Sequence, residues 1–191
     1  MCLPRVPYYV IGYSCLKGCT YGLLFWLPLF LYGKNFDSQI GYITIMVDVG
    51  GVIGSLIVGY LGDKYGKRAL FLSPCLFLSS VMMFIVSFTF TDIAWTYYVA
   101  MFIIGLVSGG PYNIIGSAIT IDLGEQAGKK SVGKVSALIE GSAAIFAALS
   151  QFIISVLPFD GIFYLFSGEC ILAGFVLLPL FLKEYHDCKY R

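Results

Sequence analysis

Four charged residues stand inside long apolar segments of this 191-residue chain, where an ionised group is costly: Lys17, Asp48, Glu140 and Glu169. On membrane-insertion scales, each costs about 2.5–3.5 kcal/mol at the centre of a helix. Such a residue therefore faces the interior of a helix bundle, a partner or a water-filled cavity. These four are the first candidates for chemistry in this sequence.

Lys17 is the most informative of them. It lies about nine residues into its apolar segment, which at about 1.5 Å per residue puts it about 14 Å deep, near the midplane of a bilayer. A cation at that depth suits a binding site for an anion. The alternative is an internal salt bridge with Asp48 or Glu140. Both can hold, if the bridge closes the empty site and the substrate opens it.

Other polar residues extend this candidate site. Tyr21 follows Lys17 by one turn on the same helical face, where a phenol can donate to a phosphate oxygen, stack on a sugar or simply pack. Asn113 follows a Gly-Gly-Pro run at 109–111. We expect that run to break its helix beside a substrate path, as in discontinuous transporter helices.

The three acidic residues of this set suit different roles. Glu140 suits either a proton-coupling carboxylate or the partner of Lys17. Asp48 lies nearer the middle of its segment. Glu169 lies in the last segment, where we expect a structural contact between helices.

The elements that must position these residues follow from hydropathy. Hydrophobic residues make up 59% of the chain, charged residues 12%, and the mean hydropathy is +0.86. A soluble domain carries about 25% charged residues. A helix needs about 20 apolar residues to cross a bilayer. The sequence predicts an all-α membrane protein, one transmembrane domain over 1–191, with six helices at about 8–32, 41–62, 69–90, 94–122, 134–157 and 160–182.

The positive charges predict the orientation of these helices. Cations concentrate in GDKYGKR at 62–68, in GEQAGKKSVGK at 124–134 and near both ends of the chain, while Lys34 alone lies in the opposite connectors. Because cytoplasmic loops carry the excess of Lys and Arg, both termini are expected in the cytoplasm.

Several function classes are disfavoured. A net charge of +1 without a basic run argues against nucleic acid as a partner. The six cysteines form no CxxC pair, and the single histidine is His186, so we expect small packing residues, no metal and no cofactor. The sequence contains no nucleophile–base pair and no phosphate-cradling loop, so we do not expect an enzyme.

Longer motifs of the sequence resemble those of a known superfamily and of one branch within it. The run GYLGDKYGKR at 59–68 resembles the cytoplasmic signature loop of the major facilitator superfamily. This implies that Asp63 caps or pairs across the bundle and that Lys67 and Arg68 help to lock one conformation. More of the chain is similar to the sugar-phosphate exchangers of solute carrier family 37, relatives of bacterial organophosphate:phosphate antiporters. The similar segments are LKGCTYGLLFWLPLFL at 16–31, VDVGGVIGSLIVGYLGD at 47–63, GGPYNIIGSAITIDLG at 109–124 and ALIEGSAAIFAAL at 137–149.

That resemblance implies helices seven to twelve of a twelve-helix transporter, without the N-terminal six-helix half. Lys17 falls on a basic position of helix seven that contributes to phosphate binding. Tyr112 belongs to a Gly-Pro-Tyr element of helix ten, and Glu140 matches an acidic position of helix eleven. The implied activity is exchange of a sugar phosphate or other organophosphate for inorganic phosphate by alternating access. The implied location is the endoplasmic reticulum or another internal membrane.

Together these observations give one leading hypothesis and two alternatives. The alternatives are a non-transporting six-helix membrane subunit or scaffold derived from a transporter half, and a proton-coupled symporter that uses Glu140 or Asp48. The expected partners are the lipid bilayer, the missing half or a partner membrane subunit, and a phosphate-bearing small molecule. Substrate binding is predicted for Lys17, Tyr21, Tyr112, Asn113 and Glu140, and conformational roles for Asp48, Asp63, Lys67, Arg68, Gly110 and Pro111.

Overall fold

A computed structural model describes residues 5–33, 36–88, 94–128, 131–158 and 161–189, and within them the chain is helical, without strands. Six helices are long and apolar enough to cross a membrane. The predicted fold class, an all-α membrane protein of six spans, is confirmed. Cys2, Lys34, Lys129, Lys130 and Arg191, which entered the sequence argument, lie outside the described residues.

The helix boundaries follow the predicted spans closely. The helices are α1 Val6–Gly33, α2 Ile40–Tyr65, α3 Ala69–Phe88, α4 Ala94–Ile114, α5 Thr120–Gln126, α6 Val132–Val156 and α7 Ile162–Lys189. A π-helical segment, Ile115–Ile119, joins α4 to α5, so that Trp95–Gln126 forms one continuous span.

The last helix is longer than hydropathy predicts. It continues past residue 182 because its polar end is held against the start of α3. The Glu184 carboxylate accepts a hydrogen bond from the Leu70 N–H at 3.1 Å, and Lys67 Nζ donates to the Glu184 carbonyl oxygen at 2.8 Å. Hydropathy cannot detect these contacts, because they form beyond the apolar stretch.

The turn between α2 and α3 is short and shaped by one glycine. Gly66 ends α2 in the left-handed region, with φ 63°, and its N–H donates to the Asp63 carbonyl oxygen. The Lys67 N–H donates to the Gly62 carbonyl oxygen at 3.2 Å, which satisfies a second free carbonyl of the last turn. This cap places Asp63 and Arg68 side by side at the same end of the bundle.

α1 is the central helix. Its residues 12–19 are all buried, and it packs against α6 and α7 and also contacts α2 and α4. Two apolar clusters lie along it, one around Leu16, Leu72 and Ile139, the other around Leu23, Met101 and Phe166. Lys17 falls between the two clusters, halfway along the bundle.

α2 and α4 form the tightest helix pair. A Cβ at Gly54 would overlap the Leu106 carbonyl oxygen, one at Gly105 the Val47 carbonyl oxygen, and one at Gly109 the Gly51 Cα. Small residues let membrane helices approach at backbone contact, where dispersion forces hold them together. These glycines are therefore required for packing.

The predicted break at 109–111 is wrong. α4 runs through Pro111 to Ile114, since a proline removes one backbone donor without necessarily ending a helix whose neighbours pack well. Gly109 and Gly110 meet α2 instead, and a Cβ on Gly110 would come within 2.9 Å of the Gly54 carbonyl oxygen. The irregularity lies one turn later, in the widened π turns of Ile115–Ile119.

The four cysteines whose side chains the structure describes pack against neighbouring helices, as expected. Cys15, Cys19 and Cys170 are buried and Cys75 is half-buried. Cys170 Sγ lies 3.7 Å from Cys19 Sγ, across the contact between α7 and α1.

Candidate substrate site

The candidate site is centred on the ammonium group of Lys17. Its Nζ lies 2.5 Å from Glu140 Oε2, and 7% of the lysine side chain and 38% of the glutamate side chain are exposed. Of the two acidic partners considered for Lys17, the structure pairs it with Glu140. Tyr13 Oη donates to the other carboxylate oxygen, Glu140 Oε1, at 2.8 Å. Two residues of α1 therefore hold one carboxylate of α6.

Aromatic rings flank the same ammonium on both sides. Lys17 Nζ lies 5.7 Å from the ring centroid of Tyr13 and 5.6 Å from that of Tyr21, within the range of cation–π attraction. The three residues are spaced four apart and form one stripe along α1. Tyr13 also stacks on Tyr112 of α4, with centroids 5.5 Å apart and ring planes 21° apart.

Tyr13 is the functional candidate that sequence reasoning missed. The signal was present, because the pattern Tyr-x3-Lys-x3-Tyr puts a tyrosine one turn before Lys17 as well as one turn after it. We predicted only the second of these tyrosines.

The π-helical segment packs directly against Tyr13 and Glu140 of this cluster. A Cβ at Gly116 would lie 2.6 Å from Tyr13 Oη and 3.3 Å from Glu140 Oε1. The backbone of the π turns therefore fills the space directly against the Tyr13–Glu140 hydrogen bond. Single π turns inside α-helices occur frequently at functional sites, where they re-aim the backbone.

A cavity of about 310 Å³ lies between α1, α2 and α4, beside the charged pair. Three predicted substrate-binding residues line it: Tyr21, Tyr112 and Asn113. Lys17 and Glu140 do not line it. Tyr21 connects the two regions, because it lines the cavity and its ring contacts the Lys17 ammonium.

Asp48 and Asn113 are exposed on the cavity wall. Asp48, which we assigned a conformational role, lies on the α2 side of the cavity. Asn113 Nδ2 donates to Ser55 Oγ at 3.4 Å, which ties α4 to α2. These polar side chains give a largely apolar cavity places to hydrogen-bond a polar solute.

A second charged cluster lies at the end of the bundle that carries the α2–α3 turn. Arg68 Nη2 lies 2.8 Å from Asp63 Oδ1, and Arg68 Nη1 lies 2.5 Å from Asp122 Oδ2. Asp63 thus pairs within its own turn, and Arg68 makes the contact across to α5. These side chains also line a cavity of about 300 Å³, together with Arg5, Tyr9 and Glu184.

Metal binding has no geometric basis in the described ranges. There, no three side chains of His, Cys, Asp or Glu come together as ligands. The chemistry that the candidate site offers is charge pairing, hydrogen bonding and aromatic contact.

Comparison with known proteins shows the family of this chain. The sequence profile described as Major Facilitator Superfamily matches residues 2–141 and 38–189. Sugar phosphate exchanger 3 of Mus musculus is 32% identical over 201 residues, which cover 100% of this chain and 40% of the mouse protein. Glucose-6-phosphate exchanger SLC37A2 of Xenopus laevis is 36% identical over 194 residues, which cover 94% of this chain and 38% of the frog protein.

The chain spans about two fifths of the length of these relatives. The family profile nevertheless reaches across nearly all of it, and its six apolar helices make it an integral multi-pass membrane protein. The chain belongs to the Major Facilitator Superfamily.

Proposed function

We propose that this chain forms one half of a transporter that exchanges a sugar phosphate, or another organophosphate, for inorganic phosphate. The carrying observation is the buried Lys17–Glu140 pair beside a cavity lined by Tyr21, Tyr112 and Asn113. The relatives that carry exchanger names support the same solute class.

In this proposal the empty site is neutral, because Glu140 balances Lys17. An entering phosphate group competes with the Glu140 carboxylate for the ammonium, and the Tyr13 hydroxyl, released from Glu140, can donate to a phosphate oxygen. Tyr21 and Tyr112 provide ring faces and hydroxyl groups for the rest of the solute, and Asn113 provides an amide. A charge-assisted contact of this kind is about twice as strong as a neutral hydrogen bond.

Exchange follows from the state of Lys17. The site passes between the two sides of the membrane when a bound anion neutralises the ammonium, whereas the Lys17–Glu140 bridge closes the empty site and keeps it from passing. Arg68, bridging Asp63 and Asp122, holds one end of the bundle closed, and Lys67 holds α7 beside it. We assign this end to the cytoplasm, on the positive-inside rule, and the protein to an internal membrane such as the endoplasmic reticulum.

The cavity wall opposite α1, α2 and α4 requires further helices. We propose that an N-terminal six-helix half, in the same polypeptide or as a partner subunit, provides them. Alternating access is then the rocking of one half against the other around a site near the midplane. Asp48, exposed on α2, is placed to meet that other half, while Gly110 and Pro111 belong to the α4 surface that moves with α2.

The decisive experiment is counterflow in proteoliposomes that contain this chain together with an N-terminal half. Vesicles loaded with phosphate are expected to take up labelled glucose 6-phosphate, and Lys17→Ala is expected to abolish uptake. Lys64→Ala, which removes an exposed cation, serves as the matched control and is expected to retain uptake. Wild-type exchange by the Lys17→Ala protein would refute the proposed site.

Glu140→Gln separates competition from a purely structural bridge. If Glu140 competes with phosphate for Lys17, removing its charge should tighten phosphate binding. Uptake should then depend less on the presence of phosphate inside the vesicles. If the bridge only holds α1 to α6, the same change should weaken binding.

The two alternatives give different results in the same vesicles. A proton-coupled symporter using Glu140 or Asp48 would accumulate solute in response to a pH gradient, without phosphate inside. A scaffold derived from a transporter half would show no uptake with or without an N-terminal half, and would copurify in fixed stoichiometry with a larger assembly.

A further inference from the structure

Glu169 is a buried carboxyl group that the proposed transport mechanism does not use. It lies on α7, which packs against α1, its side chain reaches α6, and only 7% of the residue is exposed. Ser150 Oγ of α6 donates to Glu169 Oε1 at 2.5 Å. The other oxygen, Oε2, is buried without a hydrogen-bond partner among the described residues.

The surroundings of Glu169 contain no compensating charge. On α1, a Cβ at Gly18 would lie 3.0 Å from Glu169 Oε1, and the nearby titratable groups of that helix are the thiols of Cys15 and Cys19. On α6 the facing group is the Ser150 hydroxyl, and on α7 itself the neighbour is Cys170. No Lys, Arg or His of the described residues forms an ion pair with it.

Burying an unpaired carboxylate is far more costly than burying a carboxylic acid, and such a group takes up a proton instead. One oxygen of Glu169 accepts from Ser150 and the other is free to carry hydrogen. We propose that Glu169 is a proton-binding site, neutral while α1, α6 and α7 are packed as in this structure. This site is separate from Lys17 and Glu140, and the inference stands whichever solute is transported.

Loss of the proton must change the packing. The proton leaves to water, and the carboxylate that remains needs hydrogen-bond donors that the closed contact does not provide at Oε2. Water can reach it only if α7 or α6 separates from α1, because the Gly18 backbone lies directly against the carboxyl group. Raising the pH is therefore expected to loosen this three-helix contact and to expose the buried thiols beside it.

Infrared difference spectroscopy on the purified chain in lipid vesicles tests the protonation directly. We expect a protonated-carboxyl band at neutral pH that fades as the pH rises, while a carboxylate band grows. Glu169→Gln should remove this band. Glu140→Gln, the matched control, should leave it, because Glu140 is paired with Lys17. A band that survives in Glu169→Gln, or that is missing from the wild type, would overturn the proposal.

Thiol labelling tests the predicted opening. Maleimide incorporation at Cys15 and Cys19, measured by mass spectrometry relative to half-buried Cys75, should rise several-fold with pH in the wild type. Division by Cys75 labelling in the same molecule removes the general effect of pH on thiol reactivity. The rise should be absent in Glu169→Gln, which keeps the shape of the side chain without ionising. An equal rise in both proteins would refute opening by Glu169.

Discussion

Two of the polar contacts between α6 and its neighbours accommodate a carboxyl group in different ways. Glu140 pairs with the Lys17 ammonium and accepts a hydrogen bond from the Tyr13 hydroxyl, and 38% of its side chain is exposed beside a cavity. The carboxyl group of Glu169 accepts one hydrogen bond, from the Ser150 hydroxyl, and the residue is only 7% exposed. The first contact has two opposite charges, and the second has no counter-charge in the described chain.

The difference supports the two separate roles proposed for these carboxyl groups. A charge pair near a cavity can exchange one anion for another, because the cation remains when the carboxylate is displaced. A lone carboxyl group in a dry contact has only a proton to exchange. Four comparisons of variants test this difference, from the largest expected effect to the smallest.

Lys17→Met should destabilise the protein most. It leaves Glu140 without its counter-charge, and breaking a buried pair costs about 3–5 kcal/mol, here toward the lower value because Glu140 is partly exposed. The free energy of unfolding in lipid–detergent micelles measures it. Adding Glu140→Leu should recover most of the loss, whereas a double variant as unstable as the single one would contradict the pairing.

The two carboxyl groups should respond differently to the same amide substitution. Glu140→Gln removes the counter-charge of the buried Lys17 ammonium but keeps a carbonyl oxygen that can accept a hydrogen bond from it, and should cost about 2 kcal/mol, less than the loss of a whole buried pair. Glu169→Gln keeps an acceptor for Ser150 and should cost less than about 1 kcal/mol, the scale of one neutral hydrogen bond. Unfolding curves measured in parallel check both predictions. An equal loss of unfolding free energy in the two variants would contradict the proposed difference in charge between Glu140 and Glu169.

Gly116→Ala should disturb the first contact alone. The added Cβ would lie 2.6 Å from Tyr13 Oη, so Tyr13 or the π turn must shift, at about 1–2 kcal/mol. Gly168→Ala is the matched control beside the second contact, since a Cβ there meets nothing within 4 Å and alanine favours the helix. A loss of stability in the control, or none in Gly116→Ala, would contradict this packing.

Ser150→Ala should have the smallest effect, about 0.5–1.5 kcal/mol, because it removes one neutral hydrogen bond. Ser142→Ala, on the same helix, removes a hydroxyl that donates only to carbonyl oxygens of α6, and should change stability less. Thermal unfolding of the two variants gives the comparison. A greater loss from Ser142→Ala would show that Ser150 does not stabilise the α6–α7 contact.

Much of the fold could be predicted because hydropathy acts locally. A run of about 20 apolar residues is sufficient for a membrane span whatever its neighbours are, and all six spans are confirmed. The expectation that Glu169 makes a contact between helices is also confirmed. The predicted break at 109–111 failed because glycines that loosen an isolated helix here pack against α2, and α4 continues through Pro111.

The site was less predictable than the fold. Helical spacing correctly related Tyr21 to Lys17, because both lie on α1, and the same rule should have found Tyr13. The choice between Asp48 and Glu140 as the partner of Lys17 could not be made from spacing, since it depends on which helix packs against α1. The contact of the π-helical segment with the site could not be predicted either, because it depends on how closely Gly116 approaches Tyr13 and Glu140 in the folded protein.

By itself, the sequence determined that this chain lies in a membrane, where its helices run, and that a few charges must be buried with them. It determined this because apolar length and charge are properties of the chain alone. Only the tertiary structure decided which carboxyl group meets a cation and which meets a hydroxyl. Glu140 and Glu169 both stand among small residues, and the helices packed against them, rather than their neighbours in sequence, decide which polar groups they contact.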